Sequence, residues 1–534
     1  MGTFQVTYDD FTGGHYMGDR STELPRNTWK GDNVILSVRG DLVPTGVKEI
    51  KEFAAPTPSS GTWNYAQVKS AFAFNVIYGV AFVSYYGTAV SGTVIQVVDM
   101  STSGTPTSNS YVITGRVDGT VTFDNVRTGS STEKYFTYIN AVNGDVRQWS
   151  WTTGTDTLVV ANPFSTNNPI NLVQVGARLV TWFNDKLYYS GASDAATWST
   201  TTQYYEFPDV ITGVFPRSND FIVTTVGAVY SVTGVLGESV NIQPIIPNDN
   251  ARGGFRKGIV DNRVVYLLDE GTSVPGLPDG VIYALNGADI QQVAYLDQND
   301  VLQAVQYRNS AESFVLGMGQ NNNLICWSRQ GTAWARAANN TWSRFTYTAK
   351  TMDPDRFLQA AVCVPIAYKD TVPQNEYFTV VYTGSDEKVY FVRYIHNHGF
   401  PNSDDFDFDS SVASTTPASG TVDLSEYWHS KPCVVKEIMV EAVFDTAASL
   451  DLTGNATIEP FVKPTGIIDI GPNDTNNFVS STQTVTQAIS SISADNSVAL
   501  YRFKVNNAGR AYGFYPRLTF QGCRIRRVIC VCED

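Results

Sequence analysis

The stretch LVTWFNDKLYYSGASDAATWST, Leu179–Thr200, is an apolar run, an Asn184-Asp185 turn, a second apolar run and a stop at Gly191 before Trp198. Short runs of β-branched and aromatic residues closed by Asn, Asp and Gly predict a β-hairpin, not a helix. The shape recurs along the chain. DFIVTTVGAVYSVTG (220–234) turns at Gly227, and VVYLLDEGTSVPGLPDGVIYALNG (264–287) has a longer connector. NLICWSRQGTAWARAANNTWSRF (323–345) and YFTVVYTGSDEKVYFVRYIH (377–396) continue the series. Upstream, KYFTYINAVNGDVRQWSW (134–151) carries Asn143-Gly144, the strongest two-residue hairpin signal in the chain.

A hairpin cannot bury both of its faces alone. Stacking such units radially buries them and shields their edges. About six or seven units at a spacing of roughly 40 to 50 residues match the blades of a propeller. The fold class expected is therefore all-β, with a β-propeller-like central domain over 67–396. An irregular pair of β-sandwiches is the alternative for the same texture. Helical pattern is scarce: one short turn after Pro25 and another in DPDRFLQAAV (353–362), around Arg356.

Residues 70–98 carry no charge, yet Asn75, Gly79, Ser84, Gly87 and Ser91-Gly92 divide them into strand-length pieces. Two or three buried strands are expected there, not a membrane span. Residues 397–425 are polar, acidic and turn-rich and read as a linker loop. Beyond them PCVVKEIMVEAVF (432–444) alternates, with Ile438, Val440, Ala442 and Phe444 on one face and Glu437, Met439 and Glu441 on the other. A second alternating run ends in a turn at Asn506–Gly509, and the last strands include Cys530 and Cys532. Residues 426–534 thus read as an antiparallel β-sandwich, and 1–66 as an extended arm and hairpin that joins it.

Charged residues make up 16% of the chain, against about 25% in an ordinary soluble domain. Low charge fits a surface largely covered by other subunits. A net charge of -14 argues against gripping nucleic acid, because phosphate contacts need Lys and Arg. It fits a surface past which DNA slides. Six cysteines (Cys326, Cys363, Cys433, Cys523, Cys530, Cys532) do not make a disulfide framework, and Cys530 and Cys532 share one strand face, an awkward geometry for a bridge. Free buried thiols in a reducing cytosol are expected. Residues 1–10 lack the basic start and apolar core of a signal peptide, and Val6 occupies the position where a myristoylation signal needs Ser or Thr.

Organised chemistry is hard to find. The four histidines are His15, His396, His398 and His429. His396 and His398 lie near Asp404 and Asp405, but two ligands at alternate positions fit a loop as well as a metal site. Asp405, Asp407 and Asp409 alternate with Phe406 and Phe408, which fits a solvated acidic edge or channel lining that includes Asp404. The chain shows no nucleophile elbow, zinc-protease helix, CxxC pair or phosphate loop. No catalytic, cofactor or metal residue is assigned, and no enzyme activity is expected. Two weak basic clusters exist: Arg524, Arg526 and Arg527, and Arg252, Arg256 and Lys257. Pairing with acidic neighbours at a subunit contact accounts for them better than a nucleic-acid patch.

The segment DDFTGGHYMGDRSTELPRNTWKGDNVILSVRGDLVPTG (9–46) resembles the start of tail nozzle, or tail tubular protein B-like, proteins of short-tailed bacteriophages. The residues that carry the resemblance are Phe11, Gly13, Gly14, Leu24, Pro25, Asn27, Asn33, Val34, Gly40 and Pro44. Physically, the glycines let an extended arm lie against a neighbouring backbone, Leu24-Pro25 starts a helical turn, and NVILSVRGDLV (33–43) forms a hairpin able to extend a sheet. The closing strands are similar to that family's C-terminal sandwich. The resemblance implies a virion tail protein, assembled in the host bacterial cytoplasm as a ring, a homo-hexamer, below the head-to-tail adaptor. The propeller walls would enclose a channel through which the genome passes during ejection without specific binding. It further implies contacts with the adaptor and with tail fibres or distal tail proteins, and no membrane insertion. Phe11, Gly13, Gly14, Leu24, Pro25, Asn27, Arg524, Arg526 and Arg527 would carry subunit or adaptor contacts. A minor tail protein, a host-glycan-binding module and a tail-borne polysaccharide hydrolase are the alternatives.

Overall fold

Alternating and doubly apolar runs dictate strands. The computed structural model describes residues 2–15, 27–32, 34–36, 40–53, 57, 61–74, 78–87, 91–99, 107–124, 126, 135–165, 167–217, 220–226, 228–247, 255–261, 264–269, 281–286, 289–295, 314–318, 324–328, 332–336, 341–346, 357–363, 376–383, 389–396, 419–425, 427–444, 461–462, 479–480, 497–504, 511–521 and 524–534. Every helix or strand among them is a strand. The chain is all-β, with a propeller-like centre and an antiparallel sandwich.

The first strands are β1 (Thr3–Tyr8), β2 (Gly14–His15), β3 (Thr28–Asp32), β4 (Val34–Leu36) and β5 (Leu42–Phe53). The first blade is β6 (Trp63–Phe74), β7 (Tyr78–Gly87), β8 (Ser91–Asp99) and β9 (Thr107–Ile113). The second is β10 (Thr122–Asp124), β11 (Tyr135–Ile139), β12 (Val146–Ser150) and β13 (Asp156–Val160). The third is β14 (Leu172–Val175), β15 (Arg178–Phe183) and β16 (Lys186–Gly191), with β17 (Asp194–Trp198) and β18 (Tyr204–Glu206) both paired to β16. The fourth is β19 (Ile211–Pro216), β20 (Asp220–Thr225), β21 (Ala228–Val235) and β22 (Ser239–Pro247). The fifth is β23 (Phe255–Asp261), β24 (Val264–Asp269), β25 (Val281–Asn286) and β26 (Asp289–Tyr295). The sixth is β27 (Phe314–Met318), β28 (Leu324–Ser328), β29 (Thr332–Arg336) and β30 (Trp342–Thr346). The seventh begins with β31 (Phe357–Cys363), β32 (Glu376–Thr383) and β33 (Val389–His396).

The first strands of successive blades lie side by side, β10 with β14, β14 with β19, β19 with β23, β23 with β27, and β27 with β31. Strand β31 then meets β6, and the cluster of Val80, Phe82, Ile95, Phe136 and Trp149 joins blade one to blade two. The ring is closed. Its seventh blade is completed from upstream of the first: β5 runs antiparallel to β33, with Phe53 opposite Val389 and Thr45 opposite His396. The uncharged 70–98 region forms strands of the first blade. Val80, Ala81, Phe82, Val83 and Tyr85 are fully buried in succession, so both faces of β7 are covered and neither tolerates a charge. Ser84 sits among them because its hydroxyl meets Thr93 Oγ1 and the Val117 carbonyl.

The remaining strands are β34 (Ser419–Leu424), β35 (Tyr427–Phe444), the short pair β36 (Phe461–Val462) and β37 (Val479–Ser480), β38 (Ser497–Lys504), β39 (Ala511–Phe514), β40 (Arg517–Gln521) and β41 (Arg524–Glu533). Strands β1, β41, β35 and β38 lie in one sheet, which β4 and the start of β5 enter through β41. The facing sheet is β2-β3-β34-β40. Between them lie Trp29, Val34, Leu36, Leu42, Val422, Ile438, Val440, Leu518, Val528 and Cys530. N-terminal residues therefore supply both sheets of the sandwich.

Three local expectations change. Of DPDRFLQAAV, residues 357–362 lie in strand β31, which pairs with β32 across a bulge at Leu358/Ala360, and Arg356 lies outside the described residues. Asn143-Gly144 is not a two-residue turn but part of the connection from Asn140 to Asp145. The Asn140 carbonyl accepts from the N–H groups of both Asn143 and Gly144, while its side chain accepts from the N–H groups of Arg116 and Val142. Within 397–425, Ser419–Leu424 is strand β34, held between β3 and β40. Pro25, Gly227 and the Asn506–Gly509 turn lie outside the described residues, as do residues 397–418 with His398, Asp404, Asp405, Asp407 and Asp409.

Trp29 is fully buried on β3, opposite Leu424. Trp29→Ala should lower the unfolding free energy by about 3–5 kcal/mol, the cost of a large core cavity, measured by chemical denaturation.

Candidate functional site

Of the residues singled out in the sequence, Phe11 and Arg526 line one cleft where the N-terminal arm meets β41. Phe11 is 2% exposed and packed in the sandwich core. Gly13 donates its N–H to the Asn27 carbonyl (3.1 Å), and Gly14 donates to the Phe11 carbonyl (3.0 Å). A Cβ at Gly13 would lie 2.6 Å from the Asn27 carbonyl oxygen, so a side chain cannot enter. Gly14 has φ +74, and a Cβ there would stand 3.0 Å from the Trp342 nitrogen of β30. Asn27 has φ 67, a conformation Asn adopts more readily than most residues. Its side-chain amide donates to Asp10 Oδ2 (2.9 Å). Asp10 also accepts from the N–H and hydroxyl of Thr12, which hold its carboxyl below the usual range. Phe11, Gly13, Gly14 and Asn27 therefore make one knot.

The backbone against which Gly13 lies is that of Asn27, and Gly14 lies against Trp342 of the chain's own sixth blade. The contacts seen for Phe11, Gly13, Gly14 and Asn27 are thus within one chain. Phe11 is enclosed in the sandwich core, and Gly14 is the residue of the knot that touches the propeller. Leu24 and Pro25 lie outside the described residues.

Arg524, Arg526 and Arg527 divide by burial. Arg524 is buried and pairs with buried Asp41 at 3.3 Å. Arg526, half-exposed, lies 3.6 Å from both Asp41 and Glu441. Arg527 donates to Glu441 Oε2 and is also half-exposed. The acidic neighbours expected for this cluster are thus present within the same chain, leaving Arg526 and Arg527 the accessible members. Sequence reading missed Asp41 and Glu441, since Asp41 stands 483 residues from Arg524 and no local pattern links them. Asp9, Asp10, Phe11, Thr12, Gly40, Asp41 and Arg526 line a cleft of about 380 Å³. Of the second basic cluster, Arg252 lies outside the described residues and Arg256 and Lys257 stand in β23.

Among the described residues no group of three or more His, Cys, Asp or Glu side chains is placed to hold a metal, and His396 ends β33 opposite Glu376 and Thr45. Other acidic residues serve as structural ties. In blade two, Asp156 accepts from Tyr138 (2.9 Å), from Arg147 (3.1 Å) and from the Thr114 N–H (3.0 Å). Burial and that carboxylate push the Tyr138 hydroxyl well above its usual pKa. Cys326, Cys433, Cys530 and Cys532 are free and buried. Burial raises Cys433 and Cys530, and takes Cys532 up to about 12. Cys363 is in β31, and Cys523 lies outside the described residues.

Two outcomes follow from these contacts. Asp41→Ala should cost about 3–5 kcal/mol, because it removes the buried carboxylate paired with the buried Arg524 charge, whereas Arg527→Ala should cost under about 1 kcal/mol, both by chemical denaturation. A thiol reagent at mildly alkaline pH should leave Cys433, Cys530 and Cys532 unlabelled until denaturant is added, as peptide mapping would show; labelling in the folded protein would contradict their burial.

No protein-family model matches the chain, and no curated protein matches its sequence. Solved structures are similar at low identity. PorZ of the type-IX secretion system of Porphyromonas gingivalis aligns with 60% of this chain and 38% of its own, at 11% identity and a TM-score of 0.36. YCF48 bound to D1 peptide aligns with 64% of this chain and 100% of its own, at 12% identity and a TM-score of 0.36. The extracellular domain of the putative hybrid two-component system BT4673 of B. thetaiotaomicron aligns with 75% of this chain and 44% of its own, at 8% identity and a TM-score of 0.38.

Proposed function

We propose that the chain is a structural tail protein of a short-tailed bacteriophage. It assembles as a ring, a homo-hexamer, below the head-to-tail adaptor and continues the channel through which the genome leaves. The observation that carries the reading is the knot of Phe11, Gly13, Gly14 and Asn27. These four of the residues on which the N-terminal resemblance rests are linked by contacts that a side chain at Gly13 would break. Composition agrees: an acidic chain with few charges suits a wall that neighbouring copies cover and that DNA passes without sticking. Buried free thiols fit assembly in a reducing cytosol.

In this reading the mechanism is passive. The channel is the axis of the ring, walled by propellers, and no bond is made or broken. Arg526 and Arg527, half-exposed and partly compensated by Asp41 and Glu441, give a surface of small positive charge for the adaptor or a neighbouring copy. Distal tail proteins or fibres would bind the opposite end.

The test is the mass of the purified full-length chain by light scattering, with electron images of the same sample. The expected result is a closed oligomer with a central hole that does not retain duplex DNA at physiological salt. A monomer in concentrated solution overturns the ring. If that monomer captures host surface polysaccharide, a glycan-binding module replaces it; if it cleaves the polysaccharide, a hydrolase does.

A further inference from the structure

Among the described residues the sandwich sheet ends in two edge strands, β1 and β38. β1 pairs with β41 alone and β38 with β35 alone among the described residues. The Asp534 N–H donates to the Gly2 carbonyl (3.0 Å), which makes those two residues a hydrogen-bonded pair. The period of two in an antiparallel ladder then turns the N–H and C=O groups of Phe4, Val6 and Tyr8 toward β41, and those of Thr3, Gln5 and Thr7 outward. These last three residues are exposed. Natural edges are blunted by Pro, Lys or a bulge. β1 has none of these: it reads TFQVTY and keeps an unbroken register.

The other edge is also unbroken but ends in Arg502 and Lys504. β38 reads SVALYRFK and holds unbroken register with β35. Leu500 is 47% exposed, and Arg502 is exposed as well. The registers put Thr7, Ile529, Met439 and Arg502 in one row, so the exposed residues of both edges share a face. Each strand from β1 through β41 and β35 to β38 is antiparallel to the next, so β1 and β38 run in opposite directions.

We propose that β1 of one copy pairs antiparallel with β38 of the next, joining the sandwich sheets end to end around the ring; this rests on the ring reading above. The contact uses two different surfaces of one chain, which is the condition for a cyclic rather than a two-fold assembly, and strand addition satisfies the outward groups of Thr3, Gln5 and Thr7. Charge supports the direction. Antiparallel pairing brings Arg502 and Lys504 to the Gly2–Thr3 end of β1. Glu533 stands opposite Thr3 there, and Asp534 is hydrogen-bonded to Gly2. The β38 segment contains two cations and no acid.

Gln5→Pro tests it in the full-length chain, because it removes an outward N–H and leaves the bonds to β41 in place. The expected result is a protein that melts with the wild type and has the mass of a monomer. A Gln5→Pro protein that still forms rings of wild-type mass overturns the edge pairing and leaves the ring standing; a monomeric wild type overturns both. Should Gln5→Pro fail to fold, Gln5→Cys combined in turn with Leu500→Cys and Arg502→Cys replaces it. Oxidised rings of at least one combination should run as covalent multimers on a non-reducing gel, and rings that yield only single chains from both overturn the proposal.

Discussion

The molecule depends on one strand serving two sheets. β5 begins in the sandwich, where Leu42 meets Ile525 of β41 and residues 42–44 pair with β4. It then leaves that sheet and runs along β33 as the last strand of the seventh blade. Ring closure and sandwich formation are therefore the same event for these twelve residues. The orientation of the two domains follows from covalent continuity as much as from surface fit. Gly14 against Trp342 adds a second fixed point, on the sixth blade. Two attachments on adjacent blades oppose the hinge motion that a single linker would allow.

Legibility follows sequence distance. The hairpin at 179–191 was readable because its strands, turn and stop are contiguous: Val180 faces Tyr189 and Phe183 faces Lys186 across Asn184-Asp185. The alternation of Ile438, Val440 and Ala442 marked a buried face that the sandwich core now fills. β31 was misread because local pattern decides little when the ring requires an inner strand at that place. The Asn143-Gly144 turn was misread for the converse reason: side-chain bonds from Asn140 outweighed the dipeptide preference.

At the candidate site, the sequence identified the residues but not the contacts they make within their own chain. Gly13 and Gly14 do receive a close backbone, as their lack of a side chain suggests, but it comes from residue 27 and from blade six of the same chain. The three arginines do have acidic partners, but these are Asp41 and Glu441. Nothing in residues 524–527 points to position 41, because the pairing exists only after the sandwich has assembled from distant segments.

That assembly sets the order of folding. During synthesis the first blades can form hairpin by hairpin, since their contacts are local. β5 leaves the ribosome before any of them, yet its propeller partner is β33 and its sandwich partner is β41. Until those arrive, β5 is a twelve-residue strand whose only pairing partner already made is β4, at residues 42–44. Glu49, Lys51 and Glu52 in its sequence put charges along the strand, the gatekeeping needed to keep a long-waiting strand from pairing with the wrong neighbour. The double role of β5 thus gives this protein a late, cooperative final step, and makes the time spent waiting for it the period of greatest exposure to aggregation.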